Sequence, residues 1–153
     1  MPVVAKEELT SYIDKEVGVS DWFEITQERV NQFAEVTEDR QFIHVDPERA
    51  KDTVFGGPVA HGFLTLSLLS YFGGQGAGLG VEGTTVRINY GLNKLRFLNP
   101  VRVGKKIRAR YKFLGFEEKK PGNLLLRHEV TVEIEGVEKP ALITESLGMA
   151  IVG

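Results

Sequence analysis

A chain of 153 residues with 42% hydrophobic and 26% charged side chains carries enough apolar material for one core, and 1–153 reads as a single domain. The formal net charge of -2 supplies no long-range attraction to nucleic acid or to an anionic membrane, so neither partner is expected. The absence of cysteine excludes disulfide staples, thiolate nucleophiles and cysteine-ligated metals.

The N-terminal stretch MPVVAKEELTSYIDKEVG has no basic run leading into a long apolar run, so no signal peptide is expected and the cytoplasm is the default location. The longest apolar segment, 63–72, is too short to span a bilayer. Residues 7–14 suit a short helix and 19–26 a short extended segment. Thr26 then suits a helix N-cap, with Glu28 in the first turn and Val30, Phe33 and Ala34 on one face. That helix is expected to end near Thr37 or Glu38. Asp46 before Pro47 marks another helix start, because proline suits the first helical position. The stretch 55–62, FGGPVAHG, cannot continue a helix and reads as a loop.

From Gly62 to Phe72 a helix follows whose apolar residues (Phe63, Leu64, Leu66, Leu68, Leu69, Phe72) occupy too much of its circumference for a surface helix, which predicts burial. The glycine-rich stretch 73–83, GGQGAGLGVEG, invites comparison with a phosphate-binding loop. Such a loop needs a strand before it and a helix after it, and here the order is reversed, with no Gly-Lys-Ser/Thr. A helix stop and a flexible link is the better account.

The second half alternates with period two. Ile107, Ala109, Tyr111 and Phe113 point one way and Lys106, Arg108, Arg110 and Lys112 the other. A charged hairpin turn at 117–123 leads to Leu124, Leu126, His128, Val130, Val132 and Ile134 on a shared face. With strands near 84–90, 93–98 and 141–152, the pattern predicts a largely antiparallel sheet with one polar face. A long apolar helix beside such a sheet makes the fold class α+β, with the sheet wrapped around the helix.

Asp39 and His44 lie five positions apart just past the first long helix. They are either polar surface around a turn or a base and its partner at a pocket. A helix C-terminus and burial would each raise the pKa of Asp39 toward the range of a general base or acid. Gly62 has a free backbone N–H at a helix start, able to stabilise negative charge on a carbonyl oxygen, or it simply permits tight packing. His61 is expected to order its loop through side-chain hydrogen bonds rather than act as a base. Ser67 and Ser70 read by default as hydroxyls satisfied within the helix, and His128 as a satisfied core or interface histidine. No group of His, Asp and Glu stands at ligand spacing, so no metal is expected. The basic residues of 94–112 read mostly as a solvated strand face, with one or two candidates for the phosphates of a nucleotide-bearing substrate.

The order of these motifs is more specific than any one of them. Asp39 to His44, the AHG helix start and RFLNPVRVG (96–104) together resemble the MaoC-like dehydratases, the (R)-specific enoyl-thioester hydratases of the hot-dog fold. The resemblance covers roughly residues 18 to 152. The family signature is D-x-N-P-[IL]-H, and here Gln41 and Phe42 replace Asn and Pro while Glu38 stands where a glycine is usual. QFIHVDPERA looks closest to the nodulation-protein-N-like branch, where an amide and an aromatic residue commonly replace Asn-Pro. The resemblance implies a homodimer, or a higher oligomer, with acyl-thioester sites at the interface. It implies that Asp39 and His44 hold and activate water, that the Gly62 N–H binds the thioester oxygen, and that Ser70 helps orient the acidic partner or the water; Gln41 stands with them as a substrate-binding candidate. Coenzyme A or acyl carrier protein would enter only as the substrate's handle, with no separate cofactor. Two alternatives remain beside the hydratase: an acyl-thioester-binding protein without turnover, suggested by Glu38, Gln41 and Phe42, and an acyl-CoA thioesterase, which the Asp-to-His spacing disfavours.

Overall fold

The computed structural model describes residues 2–153. Its largest element is a six-stranded antiparallel sheet. The strands are β2 (Lys15–Val19), β3 (Phe23–Glu24), β5 (Thr84–Phe97), β6 (Lys106–Lys120), β7 (Asn123–Ile134) and β8 (Val137–Val152), ordered β2-β6-β7-β8-β5 with β3 also paired to β6. Two short strands, β1 (Val3–Val4) and β4 (Gly80–Val81), pair in parallel beside it.

The period-two pattern sets the inner face. On β6, Ile107, Ala109, Tyr111 and Phe113 are buried; on β7, Leu124, Leu126, His128, Val130, Val132 and Ile134 are. The outward basic residues are more constrained than a solvated face. Arg108 and Arg110 both bind Glu133, at 2.7 and 2.9 Å, and Arg102 donates to the Phe55 carbonyl. The two strands expected near 84–90 and 93–98 are one continuous β5, whose register against β8 shifts between Asn89 and Gly91 and between Leu92 and Lys94. These bulges absorb the out-of-phase residues that made it look like two segments.

The helical half opens with a 3-10 turn at Lys6–Tyr12, then α1 (Gln27–Thr37), α2 (Phe42–Val45) and α3 (Pro47–Ala50). The Thr26 hydroxyl caps α1 by accepting from Arg29 N–H at 3.2 Å, and Asp46 caps α3 in the same way through Arg49 N–H. The central helix is not regular over 62–72. It consists of α4 (Gly62–Ser67) and α5 (Leu69–Phe72), joined at Leu68, and continues as a π-type turn over Gly73–Ala77. The Tyr111 hydroxyl donates to the Leu69 carbonyl at 2.8 Å where the ladder changes from α to π, a side-chain intrusion of the kind that distorts helices.

Nor is this helix buried all round. Leu64, Leu68 and Phe72, at i, i+4 and i+8, pack on Ile107, Ala109, Val130, Val132 and Leu142 of the sheet, while Phe63 and Tyr71 are 65% and 47% exposed. The glycine-rich stretch after it is packed rather than flexible, since Ala77 to Val81 are buried. Gly18 of β2 passes so close that a Cβ there would lie 2.4 Å from the Ala77 carbonyl oxygen. A second cluster, with Val4, Leu9, Leu79, Val81, Phe113 and Leu124, closes this end of the sheet. Among the described residues no helix is long and apolar enough to cross a membrane.

Candidate active site

Helix α1 ends at Glu38, which adopts the left-handed conformation (φ 67) that closes many helices. Glycine suits that position best, so a glutamate there needs support. Arg40 supplies it, binding Glu38 and also Glu35 at 2.9 Å. The turn then presents Asp39, whose carboxylate accepts a long 3.4 Å bond from Gln41 N–H. Gln41 opens α2, which carries His44 inward, and the Gln41 carbonyl accepts His44 N–H at 3.0 Å.

Three side chains converge here. Donor atoms of Asp39, His44 and His61 lie within 4.8 Å of one another. His44 and His61 are 7% and 2% exposed, while Asp39 is exposed in the single chain, so the burial expected to act on its carboxyl is absent there. The His44 Nδ1 lies 2.7 Å from the Val59 carbonyl, itself held by the Val59 N–H bond to Ile43. A carbonyl only accepts, so Nδ1 carries the proton and Nε2 keeps a bare lone pair. The His61 Nε2 lies 2.9 Å from the Asp39 backbone carbonyl, so by the same logic its Nδ1 is unprotonated, and that atom is buried without a partner. The rings stack at 3.9 Å between centroids and 24° between planes, with Phe33 tilted against His61 at 4.9 Å.

Burial holds the His44 imidazole below its ordinary range. Its Val59 bond opposes that, the neighbouring His61 adds to it, and Asp39 opposes it. His44 is therefore a neutral base with a fixed tautomer beside a carboxylate. The same three residues are a candidate metal set by type. Yet coordination requires lone pairs, which lie in the ring planes, to converge on one point, and two rings stacked face to face aim theirs side by side.

Gly62 begins α4, and among the described residues its N–H meets no protein acceptor. The close-packing reading also holds, because a Cβ on Gly62 would come within 3.0 Å of the Phe97 ring. Ser67 is satisfied within the helix, donating to the Phe63 carbonyl at 2.6 Å. Ser70 is not: its hydroxyl donates to the Asn89 side chain of β5 at 3.3 Å and joins neither Asp39 nor His44. The Gln41 side chain is exposed, and its part in the site is made by its backbone. His61 was expected to order its loop, which it does, but its place inside the acid–imidazole group was missed. Its position next to Gly62 was the available signal.

Ser70 borders a cavity of about 650 Å³ between the central helix and the sheet, lined among others by Leu66, Ser67, Gly73, Tyr111 and His128. Asn89 and His128 were not expected to share a space with Ser70. They come from strands far apart in sequence.

An antiparallel sheet packed over one central helix is the hot-dog fold, an α+β architecture. Residues 8–135 match the MaoC like domain, and the chain belongs to that family. It is 47% identical over 140 residues to "3-hydroxyacyl-thioester dehydratase Z" of Mycobacterium tuberculosis, covering 92% of this chain and 91% of that protein. It is 40% identical over 151 residues to "Nodulation protein N" of Rhizobium meliloti, covering 98% and 93%. The solved (R)-hydratase from A. caviae superimposes with a TM-score of 0.70 at 27% identity, covering 88% of this chain and 95% of that one.

Proposed function

We propose that the protein is an (R)-specific hydratase/dehydratase that interconverts trans-2-enoyl and (R)-3-hydroxyacyl thioesters, with coenzyme A as the favoured carrier and acyl carrier protein the alternative. The observation that carries this is the His44 Nε2 lone pair, left free by the Val59 bond, beside the Asp39 carboxylate. Relatives named for that reaction class support it.

In the hydration direction, Asp39 and His44 hold a water against C3. One of the pair takes its proton as the C3–O bond forms, and the pair delivers a proton to C2. Electron density moves onto the thioester oxygen meanwhile, and the unpaired Gly62 N–H is the donor available to stabilise it. No cofactor or metal enters the scheme.

The acyl chain runs from Gly62 along the helix toward Ser70 and the cavity. The single chain leaves β5 as a sheet edge with Val86, Ile88, Tyr90 and Leu92 between 41% and 55% exposed, a surface that soluble proteins cover. A second copy covering this edge would make a homodimer. The cytoplasm remains the proposed compartment, consistent with a cysteine-free chain.

The test is the loss of enoyl-thioester ultraviolet absorbance on adding crotonyl-CoA, run beside Asp39→Asn and His44→Ala. Wild type should consume the double bond, and each variant should lose at least about 10²-fold in kcat. A fully active Asp39→Asn variant would overturn the mechanism. Release of free thiol would instead make the protein a thioesterase, and saturable binding without product would make it a binding protein.

A further inference from the structure

His128 has no role in the reaction just described, and its position on β7 is costly to fill with a histidine. Its neighbours on the same face, Leu126 and Val130, are buried and apolar, and either would pack there with no polar atom to satisfy. The ring is 7% exposed and lies edge-on to Tyr111 and Phe113, with centroids at 5.6 and 5.3 Å. The Leu79 N–H donates to Nε2 at 3.2 Å, so the proton of this imidazole sits on Nδ1. Burial keeps the ring neutral, pushing its pKa down to about 4. Among the described residues no protein acceptor meets the Nδ1–H, and the ring borders the cavity shared with Ser70. The Nδ1–H is not among the buried unpartnered atoms, so it is open to the cavity, where an oxygen on a substrate would take the place of water.

The group beside it completes the pattern. The Tyr111 hydroxyl spends its hydrogen on the Leu69 carbonyl, which leaves its oxygen able to accept. This part of the cavity wall therefore offers one fixed donor and one acceptor, flanked by Leu79, Leu126 and glycines. That pair matches a hydroxyl, and the donor alone matches an oxo group.

We propose that His128 is a specificity-determining residue that reads a hydroxyl or oxo oxygen carried on the distal part of the acyl chain, so that the preferred substrates are oxygenated enoyl thioesters. The proposal rests on the hydratase function and deepens it. The helix sets the scale. Seven residues separate Gly62 from Leu69, whose carbonyl holds the Tyr111 hydroxyl, which is about 10 Å at 1.5 Å per residue. The oxygen therefore belongs well down a medium or long chain, and a crotonyl group ends far short of it.

The experiment compares kcat/KM, and affinity by calorimetry, for trans-2-enoyl-CoA chains of about eight to sixteen carbons with and without a terminal or subterminal hydroxyl or oxo group. Crotonyl-CoA is the reference. At the matched length wild type should favour the oxygenated chain by about 3- to 10-fold, the worth of one neutral hydrogen bond, with the gain in KM. His128→Phe should erase that preference and leave crotonyl-CoA turnover within about twofold. A wild-type protein that favours the plain chain at every length overturns the proposal, whether or not the variant folds. Failure of the hydratase reading shows separately, as no turnover of crotonyl-CoA, and calorimetry still decides the oxygen preference in that case.

Discussion

His128 also predicts how stability depends on pH. Its folded-state pKa is about 4 against an ordinary 6.5, with burial as the cause. A depressed pKa means the unfolded chain binds the proton more readily, so the stability in question is fully present above about pH 6.5. It is lost as pH falls through the window down to about 4. The shift of about 2.5 units at about 1.36 kcal/mol each makes that loss about 3 kcal/mol. Protonation of Nε2 also removes the acceptor for Leu79 N–H. The assay is urea unfolding of wild type and His128→Phe at pH 7, 5.5 and 4, in which every group common to the two proteins cancels in the difference. At pH 7 wild type should equal or exceed the variant, which lacks the Leu79 bond worth about 1 kcal/mol. By pH 4 the difference should have moved by about 3 kcal/mol in favour of the variant. A difference that stays constant across the series would refute the assignment of a buried, neutral His128.

Other outcomes follow from particular contacts. His61→Gln removes the ring stacked on His44, so kcat should fall by about 10-fold. The acid limb of the pH–rate profile should move up toward the ordinary imidazole range, because His61 helps hold His44 below it; an unmoved limb would mean that His61 only fills space. Gly18→Ala would push a Cβ into the Ala77 backbone and should cost about 2 to 3 kcal/mol in chemical denaturation, a cost that would be absent if residues 77–81 were a loose link. Ile88→Asp places a charge on the exposed face of β5 and should convert a dimer to monomer in sedimentation experiments, while a dimer that persists would move the interface elsewhere.

What was legible before the structure was whatever depends on local periodicity. The caps at Thr26 and Asp46, the end of α1 near Glu38 and the inward residues of β6 and β7 were all readable, because each is decided by a few adjacent side chains. The central helix was misread in two respects. Its apolar composition implies burial all round, but Phe63 and Tyr71 are exposed. Its change to a π-type turn lies where the Tyr111 hydroxyl reaches Leu69, forty-two residues away in sequence. Glycine content suggests flexibility over 73–83, whereas Gly18 of β2 packs on the Ala77 backbone and β1 pairs with Gly80 and Val81.

The histidines show where the limit falls. Motif order places Asp39, His44 and Gly62 together, but it cannot tell a base from an acid or a donor, because that depends on which ring nitrogen is already engaged. Each of the three histidines has one nitrogen committed to a backbone group from elsewhere in the chain: Val59 for His44, Asp39 for His61 and Leu79 for His128. The first two meet carbonyls and are left with a lone pair; the third meets an N–H and is left with a proton. The backbone thus makes His44 a base, keeps His61 from donating to Asp39's carboxylate through its free nitrogen, and makes His128 a donor. Those backbone groups lie 15, 22 and 49 residues away along the chain, so the chemistry of each imidazole is a property of the fold rather than of the motif around it.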